Sequence, residues 1–403
     1  MSTELSNAEQ TALDAAIDGL LASADPTKMD AVEFRRQRFD HGLAWVHFDR
    51  GFGGLAISPR GQGQVERRLR AAGGPTPDPA SFFMHLAGPT IHTHGNDAQK
   101  QRFLRPMFSG EEKWCQLFSE PGAGSDFAGL ACKAVRDGDE WVVNGQKVWN
   151  TLAHLGDWGM LVTRTDPDQV KHKGMTYFAV DMHSEGVDVR PLRQMTGEAE
   201  FNEVYLTDVR IPDHQRIGDV GEGWRVSLTT LMNERVSIGG GSGAMPKRGS
   251  GPVGEIVKLW QELPNEDRTE TRQDRLMKLW IIAETQRLTN IRASQSRNMG
   301  NPGPEGSISK LALAELNKAL YEFGMDLMGA NGLIGFDYTF RRPDGLNDDT
   351  WGDPRTAFLR VRANSIEGGT SEILRNILGE QVLGLPGEPR VDKDLPWAKV
   401  PRN

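Results

Sequence analysis

The densest concentration of ligand-binding chemistry in the sequence is the run Trp114-Cys115-Gln116-Leu117-Phe118-Ser119-Glu120-Pro121-Gly122-Ala123-Gly124-Ser125-Asp126. A mostly apolar, strand-like start leads Gln116 and Phe118 into a turn. Gly122 and Gly124 carry no Cβ there, so backbone amides can approach a ligand closely. Ser119 and Ser125 add hydroxyls that can donate or accept. No Gly-Lys-Ser/Thr follows, which excludes a Walker loop. Phe127 stands where a dinucleotide fingerprint counted from Gly122 and Gly124 needs Gly or Ala. Downstream, Trp149-Asn150-Thr151 follows a strand pattern and the Asn144-Gly145 pair, and Trp149 taken alone reads as a core aromatic. His92 and His94 alternate, but an i, i+2 pair without a third ligand is a weak metal signal and reads as a helix-end pair.

These residues need a scaffold, and the bulk properties bound it. The chain has 403 residues, 37% hydrophobic and 25% charged, an ordinary globular composition with room for a sizeable core in two or three domains or one composite. A net charge of −8 gives no general case for nucleic acid or an anionic membrane surface. No apolar run is long enough for a bilayer span. The first residues show no secretory signal, and Val400-Pro401-Arg402-Asn403 is not a peroxisomal address. Cys115 and Cys132 are the only cysteines, which fits a reducing cytoplasm and supplies no metal set.

Periodicity divides the chain into three textures. Ser6 and Glu9 read as a capping box ahead of a helix with Leu13, Ile17, Leu20 and Leu21 on one face. Helical patterns follow over 31–46, 64–72, 80–92 and 98–108. From Trp114 short β-type runs recur, with Asp137-Gly138 and Asn144-Gly145 as hairpin-type turns, predicting a compact antiparallel β domain over 113–223. Helical patterns return over 224–238, 275–297, 308–328 and 370–383. A glycine-rich flexible loop at 239–251 and a polar insertion at 341–354 interrupt them, and the tail from Gly384 reads as extended.

Taken in order, Ser-Glu-Pro-Gly-Ala-Gly-Ser-Asp at 119–126, Trp149-Asn150-Thr151, Gly329-Ala330-Asn331-Gly332 and Ile366-Glu367-Gly368-Gly369-Thr370-Ser371-Glu372-Ile373 resemble the acyl-CoA dehydrogenase family of flavoproteins from about Leu43 to Pro386. The resemblance implies an α+β fold: a helical N-terminal domain (1–112), a central antiparallel β-barrel (113–223), a C-terminal four-helix bundle (224–386) and a tail (387–403). It implies FAD, set against Gln116, Phe118, Ser119, Gly124, Ser125, Trp149 and Thr151, with Gly329 and Gly332 reaching it across a subunit contact and Thr370 and Glu372 completing the site. The chain departs from the family's pattern at the adenosine end. Asp326 replaces the usual Gln, Ala330 replaces the second Gly, and no Arg-x-x-Phe-Gly precedes Arg275.

The reaction implied is α,β-dehydrogenation of an acyl-CoA thioester, with proton removal by a carboxylate and hydride transfer to flavin N5. The base of many members is the Glu of Tyr-Glu-Gly-Thr, a position held here by Gly368. Glu367 lies one residue early, which swings a side chain by about 100° on a helix. A branch resembling isovaleryl- and long-chain-type enzymes keeps its base on an earlier helix in a Glu-Arg pair, which points to Glu234, with Glu367 the weaker alternative. Gly368 would then leave room for Glu234 and donate its N–H to the thioester oxygen. Arg235 and Ser125 would contact substrate. An electron-transferring flavoprotein is the expected acceptor. The assembly is expected to be a homo-oligomer, dimer or tetramer, or a heteromer with a paralogue. A non-catalytic flavin-binding subunit and an acyl-CoA oxidase remain the alternatives.

Overall fold

The computed structural model describes all residues except 1–4, 76–81, 239–246, 297–305, 336–338, 346–352, 390–391 and 402–403, and the side chains of 235–238 and 294–296. The glycine-rich 239–246 stretch and the middle of the 341–354 insertion therefore lie outside the described residues.

Among the described residues, five α-helices open the chain: α1 (Asn7–Ser23), α2 (Ala31–Asp40), α3 (Gln62–Ala71), α4 (Met84–His94) and α5 (Asp97–Ser109). The capping box at the start of α1 forms: Glu9 N donates to Ser6 Oγ and Ser6 N donates to the Glu9 carboxylate. Helix α2 is shorter than the pattern over 31–46 predicts. Gly42 adopts φ +74°, a left-handed stop available to glycine, and a Cβ there would meet the Gly54 carbonyl at 2.7 Å.

Eight strands follow: β1 (Trp114–Leu117), β2 (Lys133–Asp137), β3 (Glu140–Lys147), β4 (Trp158–Arg164), β5 (Met175–Asp181), β6 (Val187–Pro191), β7 (Asn202–Pro212) and β8 (Arg216–Ile217). Their order is β6-β7-β3-β2-β4-β5-β8, with β1 on β4. The expected β unit is there, but the sheet is mixed rather than purely antiparallel: β1 and one residue of β2 pair with β4 in parallel. The Asp137-Gly138 turn joins β2 to β3 as expected, Gly138 taking φ +64°. Asn144-Gly145 is no turn. It lies inside β3 as a bulge against β7, and a Cβ at Gly145 would sit 2.6 Å from Cys132 Sγ. The Asn144 amide and Asp208 bond each other across that bulge at 2.9 and 3.0 Å.

The two faces of the sheet serve two cores, following the period-2 alternation of strands. Cys115, Leu117, Leu161, Phe178 and Val180 fill one. Trp114, Phe118, Met160, Tyr177 and Ala179 fill the other together with Phe39, Trp45, Leu86 and Phe103 from the N-terminal region. Gln116 shares the parity of Trp114 and so points to the helix-covered side.

After the sheet come α6 (Gly223–Ile238), α7 (Pro252–Glu262), α8 (Glu270–Ser296), α9 (Gly306–Met328), α10 (Pro354–Arg360) and α11 (Ser371–Ile377). Helix α7 is absent from the sequence reading; Pro252 opens it at a position where its missing N–H is no loss. The last predicted helix runs α-helical only to Ile377, then continues as a π-type turn over Leu378–Val382. The predicted extended tail doubles back: Trp397 N donates to Gln169 O at 2.8 Å and Ala398 N to Pro167 O at 2.9 Å. No described helix is long and apolar enough to cross a membrane.

Candidate active site

Helix α6 is pinned by threonines. Thr230 Oγ1 lies 2.8 Å from Thr90 Oγ1 on α4 and 3.3 Å from the Tyr177 hydroxyl on β5, and Thr229 Oγ1 lies 2.8 Å from His94 Nε2. Glu234 follows Thr230 by four residues, hence on the same helix face one turn on. That face meets β1: Gln116 Nε2 donates to Glu234 Oε2 at 3.0 Å. Two groups 118 residues apart in sequence thus meet at one half-buried point. Arg235 lies on the same helix, its side chain outside the described set.

The backbone behind Gln116 is held from the next loop. Asn150 Nδ2 donates to Gln116 O at 2.8 Å, and Val148 N donates to Ser119 O at 2.9 Å. Trp149 between them takes φ +61° and Leu152 φ +51°, left-handed values that cost non-glycine residues about 1–3 kcal/mol each. The conformation turns the Trp149 ring outward, 56% exposed, its edge on Phe201. Thr151 is half-buried beside it. Asn150 Oδ1 is buried without a protein donor among the described residues. Phe118 is placed differently from a ligand contact: its side chain stacks on Phe127 in the core, leaving only backbone to face a ligand.

The loop after β1 rests on a buried ion pair that the sequence reading missed. Lys147 Nζ donates to Glu120 Oε1 at 2.8 Å and to Phe118 O at 3.0 Å, and the Glu120 carboxylate also accepts from Ala131 N and Cys132 N. Glu120 of Ser-Glu-Pro is therefore a buried anchor rather than a reacting group. Gly122, Gly124 and Ser125 stand exposed above it, and a Cβ on either glycine would meet nothing within 4 Å. Neither glycine needs a positive φ.

The two alternative carboxylates have different surroundings. Glu367 bonds Arg360 Nη1 at 3.1 Å and Asn364 Nδ2 at 2.7 Å. Arg360 Nε also donates to Glu200 Oε1 at 2.9 Å. One guanidinium thus serves two carboxylates; burial, with Glu367 nearby, pushes the Glu200 carboxyl above the usual range despite Arg360. Gly368 takes φ +60° and Gly369 φ +93°, so side chains are excluded here by conformation. Thr370 caps α11, its hydroxyl accepting from Ile373 N at 3.2 Å, and Glu372 is exposed in the first turn. Buried Lys310 donates to Gly369 O at 2.6 Å.

Gly329 and Gly332 form a turn of their own at the end of α9, where a Cβ on Gly332 would meet Met325 at 3.0 Å. Asp326, where the family pattern has Gln, is ion-paired with Arg275. His92 and His94, two residues apart in sequence, have separate partners: His92 stacks on Phe48 with ring centres 3.9 Å apart, and His94 bonds Thr229. Burial lowers the pKa of both.

For the FAD implied by the resemblance, the flavin end fits: a projecting aromatic ring, an orphaned buried amide oxygen, open space above two glycines and flanking hydroxyls. At the adenosine end the fit is poorer, since Asp326 is committed to Arg275.

Comparison with known proteins matches the three-part order of the chain. The family descriptions "Acyl-CoA dehydrogenase, N-terminal domain", "middle domain" and "C-terminal domain" match residues 9–111, 115–209 and 221–383. The chain is 39% identical over 348 residues to acyl-CoA dehydrogenase FadE34 of Mycobacterium tuberculosis, covering 86% of this chain and 45% of that protein, so it spans about half that relative's length. It is 37% identical to acyl-CoA dehydrogenase IpdE1 of the same organism over 78% of each chain. Among solved structures, the ChsE4-ChsE5 complex from Mycobacterium tuberculosis superposes with TM-score 0.68 at 25% identity over 96% of this chain and 100% of that one. The butyryl-CoA dehydrogenase of Megasphaera elsdenii, at TM-score 0.67, 18% identity and coverage of 95% and 100%, shares the fold.

Proposed function

The chain belongs to the acyl-CoA dehydrogenase family, FAD-dependent oxidoreductases that dehydrogenate acyl-CoA, and on that premise we propose that Glu234 is the base that removes the α-proton of the thioester. The observation carrying this reading is the 3.0 Å hydrogen bond between Gln116 and Glu234, which joins the earlier-helix carboxylate to the strand that leads into the glycine loop. The competing Glu367 is engaged by Arg360 and Asn364, so protonating it would weaken an ion pair.

FAD, when bound, supplies the hydride acceptor. The α-proton ends on a Glu234 oxygen, and the electron pair it leaves forms the new C2–C3 double bond as the β-hydrogen departs with its own pair. Gln116 orients the carboxylate. The Gly368 N–H stabilises negative charge developing on the thioester oxygen. Ser125 and Arg235 bind the CoA portion. Ser119, Gly124, Trp149 and Thr151 line the flavin, and Gly329, Gly332, Thr370 and Glu372 complete its site. Electrons pass to an electron-transferring flavoprotein in the cytoplasm.

The assembly is an oligomer, and a heteromer with a paralogue is the second reading. It is favoured by the Asp326–Arg275 pair at the adenosine end and by a relative about twice this length. In it the paralogue supplies the missing adenosine contacts.

The test is an anaerobic titration of FAD-loaded protein with acyl-CoAs from short linear to bulky polycyclic, following the oxidised-flavin band. Wild type and Glu367→Gln are expected to bleach. Glu234→Gln is expected to keep its flavin but bleach about 10²–10⁴-fold more slowly. Full turnover by Glu234→Gln refutes the assignment.

A further inference from the structure

The C-terminal tail packs against the segment between β4 and β5 and against the outer end of the glycine loop. Trp397 Nε1 donates to Gly129 O at 3.1 Å, and the Trp397 ring lies 4.9 Å from the Arg164 guanidinium. That guanidinium, almost fully buried, donates to Ala128 O at 2.5 Å and to Lys171 O at 2.6 Å. Lys171 in turn spans the gap between loop and tail, its Nζ 2.9 Å from Asp126 and 2.7 Å from Asp392. A β-bridge between Val170 and Pro396 closes the arrangement. Asp126, Ala128 and Gly129 are therefore all held from outside by Lys171, Arg164 and Trp397. Ser125 itself stays exposed at the tip.

The tail lies beyond residue 383, where the family's C-terminal match ends. We infer that residues 392–399 are a strap, with Trp397 and Asp392 as positioning residues that set the 122–129 loop for acyl-CoA. The inference rests on the reading of Ser125 as a substrate contact. Its physical basis is preorganisation: the tip residues Gly122, Gly124 and Ser125 are small and exposed, and ordering them upon binding would weaken substrate affinity. The strap does that ordering in advance. Trp397 acts on Gly129 and Arg164 and Asp392 on Lys171, whereas the chemical step is assigned to the Glu234–Gln116 pair, so that step is spared.

Two readouts on the full-length FAD-loaded protein decide this. Hydrogen–deuterium exchange reports the loop without substrate, through the amides of Ala123, Gly129 and Leu130, which bond Glu120 O, Asp126 O and Phe127 O. Trp397→Ala and Asp392→Asn are expected to speed exchange there by about tenfold, with Trp397→Phe partly restoring protection because its ring still covers Arg164. In turnover, both variants are expected to raise KM about fivefold with kcat within about twofold and the flavin spectrum unchanged, a split expected when binding order rather than chemistry is lost. Unchanged exchange in both variants overturns the strap, as does a fall in kcat at constant KM. A wild-type protein that no thioester bleaches overturns the dehydrogenase reading instead, and the exchange result stands apart from it.

Discussion

Replacing Lys147 by methionine tests what holds the glycine loop. The Lys147 side chain is 0% exposed and its ammonium sits 2.8 Å from Glu120 Oε1. At an effective dielectric of about 20, unit charges at that separation attract by roughly 6 kcal/mol. Part of this is offset, because the substitution also removes the penalty of burying an ammonium, and Glu120 keeps the N–H groups of Ala131 and Cys132. What remains is a buried carboxylate without its counter-charge and a Phe118 carbonyl without its donor, together about 3–5 kcal/mol of lost stability. The double variant Glu120→Gln with Lys147→Met removes both charges at nearly constant volume. It is expected to be more stable than Lys147→Met alone by at least about 2 kcal/mol, a direct signature of charge coupling. Guanidinium-chloride unfolding followed by tryptophan fluorescence reports this well, since Trp114, Trp141 and Trp158 are buried in the same sheet. A coupling energy below about 0.5 kcal/mol across the four-protein cycle would refute the reasoning.

Two further outcomes follow from the geometry. Gly124→Val is expected to unfold within about 0.5 kcal/mol of wild type, because its Cβ meets open space, yet to bind acyl-CoA or flavin at least about tenfold more weakly; undiminished binding would show that nothing lies over the loop. The His47 imidazole, desolvated and facing His92, is pushed down to about 4 from an ordinary 6.5. Between those values the unfolded chain binds the extra proton, so His47 contributes stability that is full above pH 6.5 and lost as pH falls towards 4. His47→Phe is expected to flatten that acid limb by up to about 3 kcal/mol in pH-dependent denaturation, and superimposable profiles would disprove it.

Local chemistry was legible in the sequence wherever neighbours along the chain decide the outcome. The Ser6 capping box, the Asp137-Gly138 hairpin and the helix over 224–238 depend on residues within one or two turns of each other, so pattern suffices. So did the helix–sheet–helix order, because a change from period 3.6 to period 2 survives without knowing what packs on what. The Asn144-Gly145 pair misled for the opposite reason. It carries a turn's residues, but the glycine is required by Cys132, just ahead of β2, a neighbour visible only once the strands pair. The same limit hid the Lys147–Glu120 anchor, the Arg360 bridge between Glu200 and Glu367, and the tail's return onto Gly129.

The resemblance carried by the sequence motifs was enough to nominate Glu234, Gln116 and Trp149. Only the tertiary structure decided that Glu234 and Gln116 meet, that Glu367 is tied to Arg360, and that Trp149 projects outward on a left-handed backbone. A hydrogen bond or ion pair is set by a separation of about 3 Å in space, and chain distance carries no information about that until the cores on both faces of the sheet have closed.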